Sequence, residues 1–279
     1  MTARPASRPG ALLDRLEAYY DAVPRAAARA ETLGPLVLFV TEGPGWPYYA
    51  RPRRCAVAVT AEDVWAMRRL QRALGVPEAF EWVDEVTPSL KAAAGEAGLA
   101  VAELPLMAVA SAAVRRPRAP AGAEVRLVIP GDDLALVTAV AQVGFSWPGT
   151  GAGGAGPDAL AAAAAAVTPQ RLAFLRERLA AGRTVTAVAL VDGLPVAVGS
   201  HQPVGGVTEV VGVATLPAMR RRGLGAAVTG LLVEDAARCG IATAFLSAGD
   251  AAVARVYARL GFERVGTACI AEPAGGHQV

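Results

Sequence analysis

Residues 211–226, VGVATLPAMRRRGLGA, constrain the fold more than any other segment. The pattern predicts a strand that stops at Pro217, a turn with three arginines and two glycines, and then an amphipathic helix. Backbone N–H groups in a helix's first turn lack intrahelical partners and carry the positive end of the dipole, so they favour an anion. Gly223 and Gly225 would let these amides approach it closely. The segment predicts a diphosphate site, and an ordinary turn with a solvated basic face is the alternative.

The residues that follow continue a regular succession of elements. The helix is expected to end near residue 240, and a short apolar strand is expected at 242–247. A further helix is expected at 250–260 with Asp250 as its N-cap, and a last strand at 262–271. Gly212, inside the strand before the turn, indicates a bulge or a close backbone approach.

Two motifs in this region resemble those of the GNAT superfamily of acyl-CoA-dependent N-acetyltransferases. That family's signature is Arg or Gln, two residues, Gly, one residue, and Gly or Ala, which Arg220, Gly223 and Gly225 match. The sequence VYARLGF at 256–262 matches the family's second landmark. The glycine motif alone would be a weak signal, but two landmarks with the right elements between them are a strong one.

The resemblance implies where acetyl-CoA would bind as a co-substrate. The turn would hold the diphosphate, the strand before it would bind the pantetheine arm and polarise the carbonyl, and Tyr257 would protonate the departing sulfur. Asp250 stands where the family usually has a cofactor-contacting asparagine, and a role as the helix cap alone is the alternative for this acidic residue. The expected cofactor-binding residues are Val211, Val213, Ala214, Thr215, Arg220, Arg221, Arg222, Gly223, Leu224, Gly225, Ala226 and Asp250.

The general base is expected on the strand that precedes the turn. Several family members carry a carboxylate at the place of Glu209, and strand alternation would put Glu209 on the same face as Val211 and Val213. His201 is the alternative because its pKa lies nearest neutrality, and water is a third candidate. We therefore expect Tyr257 and Glu209 to be the catalytic residues.

The expected reaction is acetyl transfer from acetyl-CoA to a primary amine, by direct transfer in a ternary complex. The acceptor is expected to be a small molecule or a peptide, and longer acyl donors remain open. The alternative is a non-catalytic CoA-binding sensor or regulatory module. Tyr257 favours the enzyme, because a pure binder needs no proton donor beside the sulfur.

The expected fold class is α+β, a GNAT-like mixed and mostly antiparallel sheet flanked by helices, in two tandem GNAT-like halves. Residues 123–272 would form the catalytic domain, 115–122 a solvated linker, and 273–279 a tail. Residues 1–114 read as a degenerate copy of the same unit, with strands at 36–40, 55–59, 79–83 and 99–109 and helices at 62–74 and 88–97. An unrelated α/β cap is the alternative.

The upstream half has no counterpart of the turn or of Tyr257, so it is expected neither to bind CoA nor to catalyse. Residues 149–154, GTGAGG, fit a dinucleotide pattern, but Trp147 and a proline precede them where a strand is required. We read them as a mobile loop near the acceptor.

Composition excludes several other classes of function. The net charge of +2 is too small to indicate a nucleic-acid partner. Three cysteines without paired spacing, Cys55, Cys239 and Cys269, and two histidines indicate neither a disulfide framework nor a metal site. No apolar run is long enough to span a bilayer, so no membrane partner and a cytoplasmic location are expected.

Overall fold

A computed structural model describes residues 9–41, 43–45, 47–56, 58–147 and 149–275. The chain divides into two compact units. Unit 1 comprises the chain up to residue 106 together with the segment from residue 264 onward, and unit 2 comprises residues 107–263. The fold is α+β, as predicted, with a mostly antiparallel sheet and helices in each unit.

Unit 1 contains three helices and six strands within the described residues. Its elements are α1 Pro9–Arg25, β1 Ala28–Leu33, β2 Leu36–Thr41, β3 Ala50–Pro52, α2 Ala61–Ala73, β4 Phe80–Val83, α3 Ser89–Glu96, β5 Leu99–Ala110 up to residue 106, and β11 Glu263–Pro273 from residue 264. The strand order is β1-β2-β3-β4-β11-β5. The neighbours β3 and β4 are parallel, whereas β1–β2, β2–β3 and β4–β11 are antiparallel.

The prediction of a strand at 55–59 is wrong. The strand in this region is β3, and the chain turns directly after it. The N–H of Ala56 donates to the carbonyl of Arg53, and Cys55 adopts a left-handed φ of +60°. A left-handed residue ends the extended backbone that β pairing requires. Residue 57 lies outside the described residues, and α1 and β1 were not predicted.

Unit 2 contains the remaining elements of the chain. They are the end of β5, β6 Ala123–Leu127, α4 Leu134–Phe145, α5 Pro157–Ala165, α6 Pro169–Ala180, β7 Val185–Val191, β8 Leu194–Val204, β9 Val207–Thr215, a 3₁₀ turn Pro217–Met219, α7 Leu224–Arg238, β10 Thr243–Ser247 and α8 Ala251–Arg259. The strand order is β5-β10-β9-β8-β7-β6, with β6 to β9 antiparallel and β9 parallel to β10.

For this unit the apolar periodicity of the sequence predicts strands at 124–129, 184–191, 196–201 and 208–215 and helices at 132–143, 159–167 and 169–181. Each is present at approximately the predicted place, as are α7, β10 and α8. The apolar stripe of α7 supplies part of the unit 2 core, together with side chains from the strands and α4. Within the described part of the chain, no helix is long and apolar enough to cross a membrane.

In each unit, the strand next to the parallel pair comes from the other half of the sequence. In unit 1, β4 pairs with β11, from Phe80 opposite Ala271 to Val83 opposite Ala268. In unit 2, the corresponding neighbour of β10 is β5. The order β1-β2-β3-β4-β11 therefore repeats the order β7-β8-β9-β10-β5, including one parallel pair in each. This repetition supports two tandem halves.

The exchange of last strands places the unit borders elsewhere than the predicted domain borders. The predicted linker 115–122 lies inside unit 2, where the N–H of Arg115 donates to the carbonyl of Leu260. The guanidinium of Arg116 also pairs with the carboxylate of Glu234, 2.5 Å away. Most of the last strand, predicted to complete the catalytic domain, belongs to unit 1.

Candidate functional site

The strand β9 carries a bulge at Gly212, as the sequence indicated. Its register with β8 shifts between Ala214 opposite Val198 and Val211 opposite Ser200, so β9 has one extra residue there. Gly212 has a φ of +63°, a left-handed conformation that suits glycine. On its other side, β9 pairs with β10 only from Val207 to Glu209. The last part of β9 is thus bent and has no register with β10.

The bulge changes which β9 side chains share a face. His201 lies opposite Val210 and contacts Asp235 of α7, so Val210 faces α7, and Glu209 and Val211 face the other way. Beyond the bulge the alternation is reversed. A Cβ added to Gly225 of α7 would lie 3.7 Å from a Val213 methyl.

The expectation that Glu209 shares a face with Val213 is therefore wrong, although Glu209 and Val211 do share one. The physical reason is the extra residue at the bulge, which breaks the two-residue period. The face opposite α7, here called the α4 face, also carries Ala214. A Cβ added to Gly144 of α4 would lie 2.8 Å from the Ala214 methyl. Thr215 faces α7, its Oγ1 lying 3.5 Å from the same added Cβ at Gly225.

The first turn of α7 is open to an anion. Its N-cap is Gly223, which offers no side-chain hydrogen bond, and no acidic residue lies in the first turn. By contrast, side chains of Thr60, Asp133, Thr168 and Asp250 cap α2, α4, α6 and α8. The backbone amides of Leu224, Gly225 and Ala226 thus keep the positive end of the dipole free for a ligand.

The two glycines of the turn meet different requirements. Gly223 has a φ of +81° and nothing within 4 Å of an added Cβ, so its backbone conformation is what favours glycine. Gly225 has no positive φ, and an added Cβ would make ordinary van der Waals contacts. The first position therefore requires glycine and the second has room for alanine.

Two of the three arginines are exposed beside this helix end. Arg221 and Arg222 form no ion pair with any described carboxylate. Arg221 has a φ of +66°, which is costly for a residue with a side chain. Both cations therefore add positive potential at the first turn of α7.

Arg220 has a different environment, which the sequence did not reveal. Its guanidinium donates to five backbone carbonyl oxygens, at distances of 2.7 to 3.3 Å, which belong to Gly144, Trp147, Gly149, Gly151 and Thr215. A guanidinium has five N–H groups, so all of its donors are occupied. Its side chain consequently has no free donor for a phosphate, so the expectation that the Arg220 side chain contacts the cofactor is not supported by this geometry.

Tyr257 lies on α8 and is 9% exposed. Burial raises the pKa of its phenol to about 12, so the hydroxyl keeps its proton at neutral pH. The ring packs at 5.9 Å from that of Phe262, and the hydroxyl has no hydrogen-bond partner among the described residues. Tyr257 can therefore donate a proton or a hydrogen bond to a ligand.

The alternative base, His201, is buried, with 1% of its surface exposed. Its Nδ1 lies 2.9 Å from Thr208 Oγ1 and its Nε2 3.2 Å from Asp235 Oδ2. Both ring nitrogens are thus occupied inside the protein, and no donor or acceptor is left for an amine. In the sequence, the residue that could have indicated this network is Asp235, a charged residue on the apolar stripe of α7.

Glu209 is partly buried on the α4 face, at the last residue of β9 that pairs with β10. Asp250 caps α8, as predicted, because its carboxylate accepts a 2.7 Å hydrogen bond from the N–H of Val253. Within the described ranges, no group of three or more His, Cys, Asp or Glu side chains is placed to hold a metal ion.

Comparisons with known proteins show which family and which solved structures this chain is similar to. Residues 161–262 match the model of the Acetyltransferase (GNAT) family. The structure of a GCN5-related N-acetyltransferase from Kribbella flavida is similar, with a TM-score of 0.72 and 27% sequence identity. The match covers 95% of this chain and 97% of that one.

Two further solved structures share the fold. A GCN5-related N-acetyltransferase from Sphaerobacter thermophilus has a TM-score of 0.57 at 18% identity, covering 86% of this chain and 81% of that one. A tandem GNAT protein from the clavulanic acid biosynthesis pathway has a TM-score of 0.54 at 14% identity, covering 87% and 79%. No curated protein matches the chain.

The family match and the similar structure from Kribbella flavida support an acetyltransferase. These findings support a member of the GNAT superfamily, with the family match confined to residues 161–262.

Proposed function

We propose that unit 2 is an N-acetyltransferase that takes an acetyl group from acetyl-CoA and transfers it directly to a primary amine of a small molecule or peptide. The observation that carries the proposal is the open first turn of α7 directly after the bent end of β9. Neither a capping side chain nor a carboxylate competes with a diphosphate there. Exposed Arg221 and Arg222 favour the same ligand.

The residues of the turn fit coenzyme A in three respects. The amides of Leu224, Gly225 and Ala226 would hold the diphosphate, because no side chain caps this helix end. The last residues of β9, which have no register with β10, offer backbone groups to an extended amide-bearing arm. The thioester supplies an acyl group activated for attack by an amine.

The catalytic steps need a base for the amine and an acid for the sulfur. Glu209 is the proposed base, because it lies on the α4 face of β9 just before the bend. Tyr257 is the proposed acid, because its buried phenol stays protonated and its hydroxyl has no partner among the described residues. The polarised carbonyl would be stabilised by backbone N–H groups of β9.

Unit 1 contains the counterpart of this helix end but in a closed form. The first turn of α2 has a capping box, in which Thr60 Oγ1 accepts from the N–H of Asp63 and Asp63 accepts from the N–H of Thr60. Glu62 and Asp63 add two negative charges to that turn. Because amides and dipole are already satisfied, unit 1 is proposed to bind no coenzyme A.

The experiment that tests the proposal combines calorimetry with a free-thiol assay. Titration with coenzyme A should give one site per chain, and acetyl-CoA with a panel of amines should release thiol only when the acceptor amine is present. Replacing Gly223 by Trp should abolish the binding heat. Unchanged affinity in that variant would exclude the turn of α7 as the phosphate site.

The same assay separates the enzyme from a CoA-binding sensor, which is the alternative. A sensor would bind coenzyme A with one site per chain but release no thiol with any amine or acyl donor in the panel. Tyr257 favours the enzyme, because a sensor needs no protonated group beside the sulfur. The panel should include longer acyl donors, so that acetyl specificity is measured in the same experiment.

A further inference from the structure

The five hydrogen bonds of Arg220 join two segments that are far apart in sequence. One segment is the turn that leads into α7. The other is the glycine loop, defined as residues 149–156, together with the end of α4. Arg220 reaches the glycine loop through the carbonyls of Gly149 and Gly151, and the end of α4 through those of Gly144 and Trp147.

Backbone hydrogen bonds reinforce the connection on both sides. The N–H of Gly153 donates to the carbonyl of Pro217, and the N–H of Ala218 donates to that of Ala155, each at 3.1 Å. Gly153 also packs on the indole of Trp147, since an added Cβ would lie 2.6 Å from the ring. The glycine loop, expected to be mobile, thus has specific partners.

The glycine loop belongs to the face of the sheet that carries the proposed base. The end of α4 lies on Ala214 of β9, and Ala214 shares the α4 face with Glu209 and Val211. Arg220 therefore connects the diphosphate side of the site, at α7, with the side on which the amine would be deprotonated. No N–H of its guanidinium is left for the ligand itself.

We propose that Arg220 is a positioning residue that couples coenzyme A binding at the turn of α7 to the order of the glycine loop on the α4 face. The inference rests on the proposed function for its ligand, and the contacts of Arg220 carry the rest. A ligand that fixes the turn before α7 also fixes the position of Arg220, which donates the five hydrogen bonds and so orders the glycine loop. The ordered loop, through the same bonds, stabilises the turn in the conformation that binds the ligand. By linkage, the two effects have the same magnitude.

Amide hydrogen exchange at Gly153 and Ala218 tests the connection in the ligand-free protein. Arg220→Lys keeps the charge but loses the planar five-donor group, so both amides should exchange faster than in the wild type. Arg222→Ala removes a cation from the same turn without removing any of these bonds, so exchange should be unchanged. Wild-type rates in Arg220→Lys, or equal acceleration in Arg222→Ala, would overturn the connection.

The coupling itself is tested by repeating the measurement with saturating coenzyme A. In the wild type, coenzyme A should slow exchange at both amides by about fivefold or more, within the usual range of coupling between sites. In Arg220→Lys this protection should be lost, and calorimetric affinity should fall by the same factor. A purely structural role would change stability without this equality.

A second variant approaches the coupling from the loop. Gly153→Ala places a methyl group against the Trp147 ring and leaves Arg220 intact, so it should reproduce both the lost protection and the lower affinity. If the wild type binds coenzyme A without any protection of Gly153 and Ala218, the coupling is refuted. If the wild type does not bind coenzyme A, the proposed function fails, whereas ligand-free exchange still decides the role of Arg220 in loop order.

Discussion

The Nε2 atom of His201 lies 3.2 Å from Oδ2 of Asp235, in a network that also includes Thr208 and Arg238. Burial lowers the pKa of His201 below 6.5, and the hydrogen bond that its ring donates to Asp235, together with the charge of that carboxylate, opposes this only in part. The neutral ring accepts from the Thr208 hydroxyl and donates to the Asp235 carboxylate. The network therefore connects β8 and β9 to α7 when the imidazole of His201 is neutral.

The first prediction is that stability falls as pH decreases through the range in which His201 titrates. Because the pKa is lower in the folded chain, the unfolded chain binds the proton more tightly below about pH 6.5. The stabilisation is complete above that pH and is lost as pH falls toward the folded pKa. Thermal unfolding followed from about pH 8 to about pH 5.5 should show a decreasing Tm.

A matched pair of variants isolates His201 in that measurement. His277 is the other histidine of the chain and lies outside the described residues, so His277→Gln should keep the pH dependence. His201→Asn should have a lower Tm at neutral pH and a flatter profile below it. An identical slope in His201→Asn would mean that another group causes the loss.

A second prediction concerns the three cysteines. Cys269 is fully buried in β11, and burial, aided by Asp84 and Glu103, raises the pKa of its thiol to about 12. Cys55 and Cys239 are exposed. Because only thiolates react, a colorimetric thiol reagent should modify two cysteines quickly and the third only when unit 1 unfolds. Three fast reactions would show that β11 leaves its place beside β4.

The sequence predicted most elements but not their assembly at the ends of the units. Regular apolar periodicity and the N-cap Asp250 predicted the elements of unit 2, because these signals are local. The exchange of β5 and β11 could not be predicted, since each strand has the same apolar pattern whichever sheet it joins. The short strand β3 was also not predicted. The apolar residues that suggested a strand at 55–59 come after the turn at residues 53–56, whereas the strand itself lies before that turn.

The candidate site was also predicted only in part, because the sequence shows local signals and not contacts between distant residues. The glycine turn and the bulge at Gly212 have local backbone causes, and both are visible in the sequence. The reversal of side-chain faces beyond Gly212 and the partners of Arg220 depend on register and on residues about seventy positions away. Such contacts carry no local signal, so the sequence predicted Arg220 only as a cofactor-binding residue of the glycine turn.

A third prediction compares the two glycines of the turn. Gly223→Ala should lower the free energy of unfolding by about 1 kcal/mol, because alanine is strained at positive φ, and should weaken coenzyme A binding. Gly225→Ala should keep both stability and affinity close to wild type, because a Cβ fits there at ordinary contact distances. Chemical denaturation and calorimetry measure the two effects. Equal losses in both variants would contradict the different roles of these glycines.

A fourth prediction tests Glu209 as the general base. Glu209→Gln should lower kcat by ~10² to 10⁴ and shift the pH–rate profile toward higher pH, where the amine is deprotonated without help. His201→Asn is the control, because the buried imidazole has no access to the amine, and its pH–rate profile should keep the wild-type shape. An unaltered profile in Glu209→Gln would assign the proton to water instead.

The fifth prediction tests Tyr257 as the acid that protonates the departing sulfur. Tyr257→Phe should lower kcat by ~10² to 10⁴ while coenzyme A affinity stays nearly unchanged. Stability should not fall, because the hydroxyl has no partner among the described residues and the ring contact with Phe262 remains. Since the pKa of Tyr257 is raised to about 12, the wild-type rate should show no loss from phenol ionisation below about pH 10. Full activity in Tyr257→Phe would show that this residue does not transfer the proton. Coenzyme A would then depart as a thiolate.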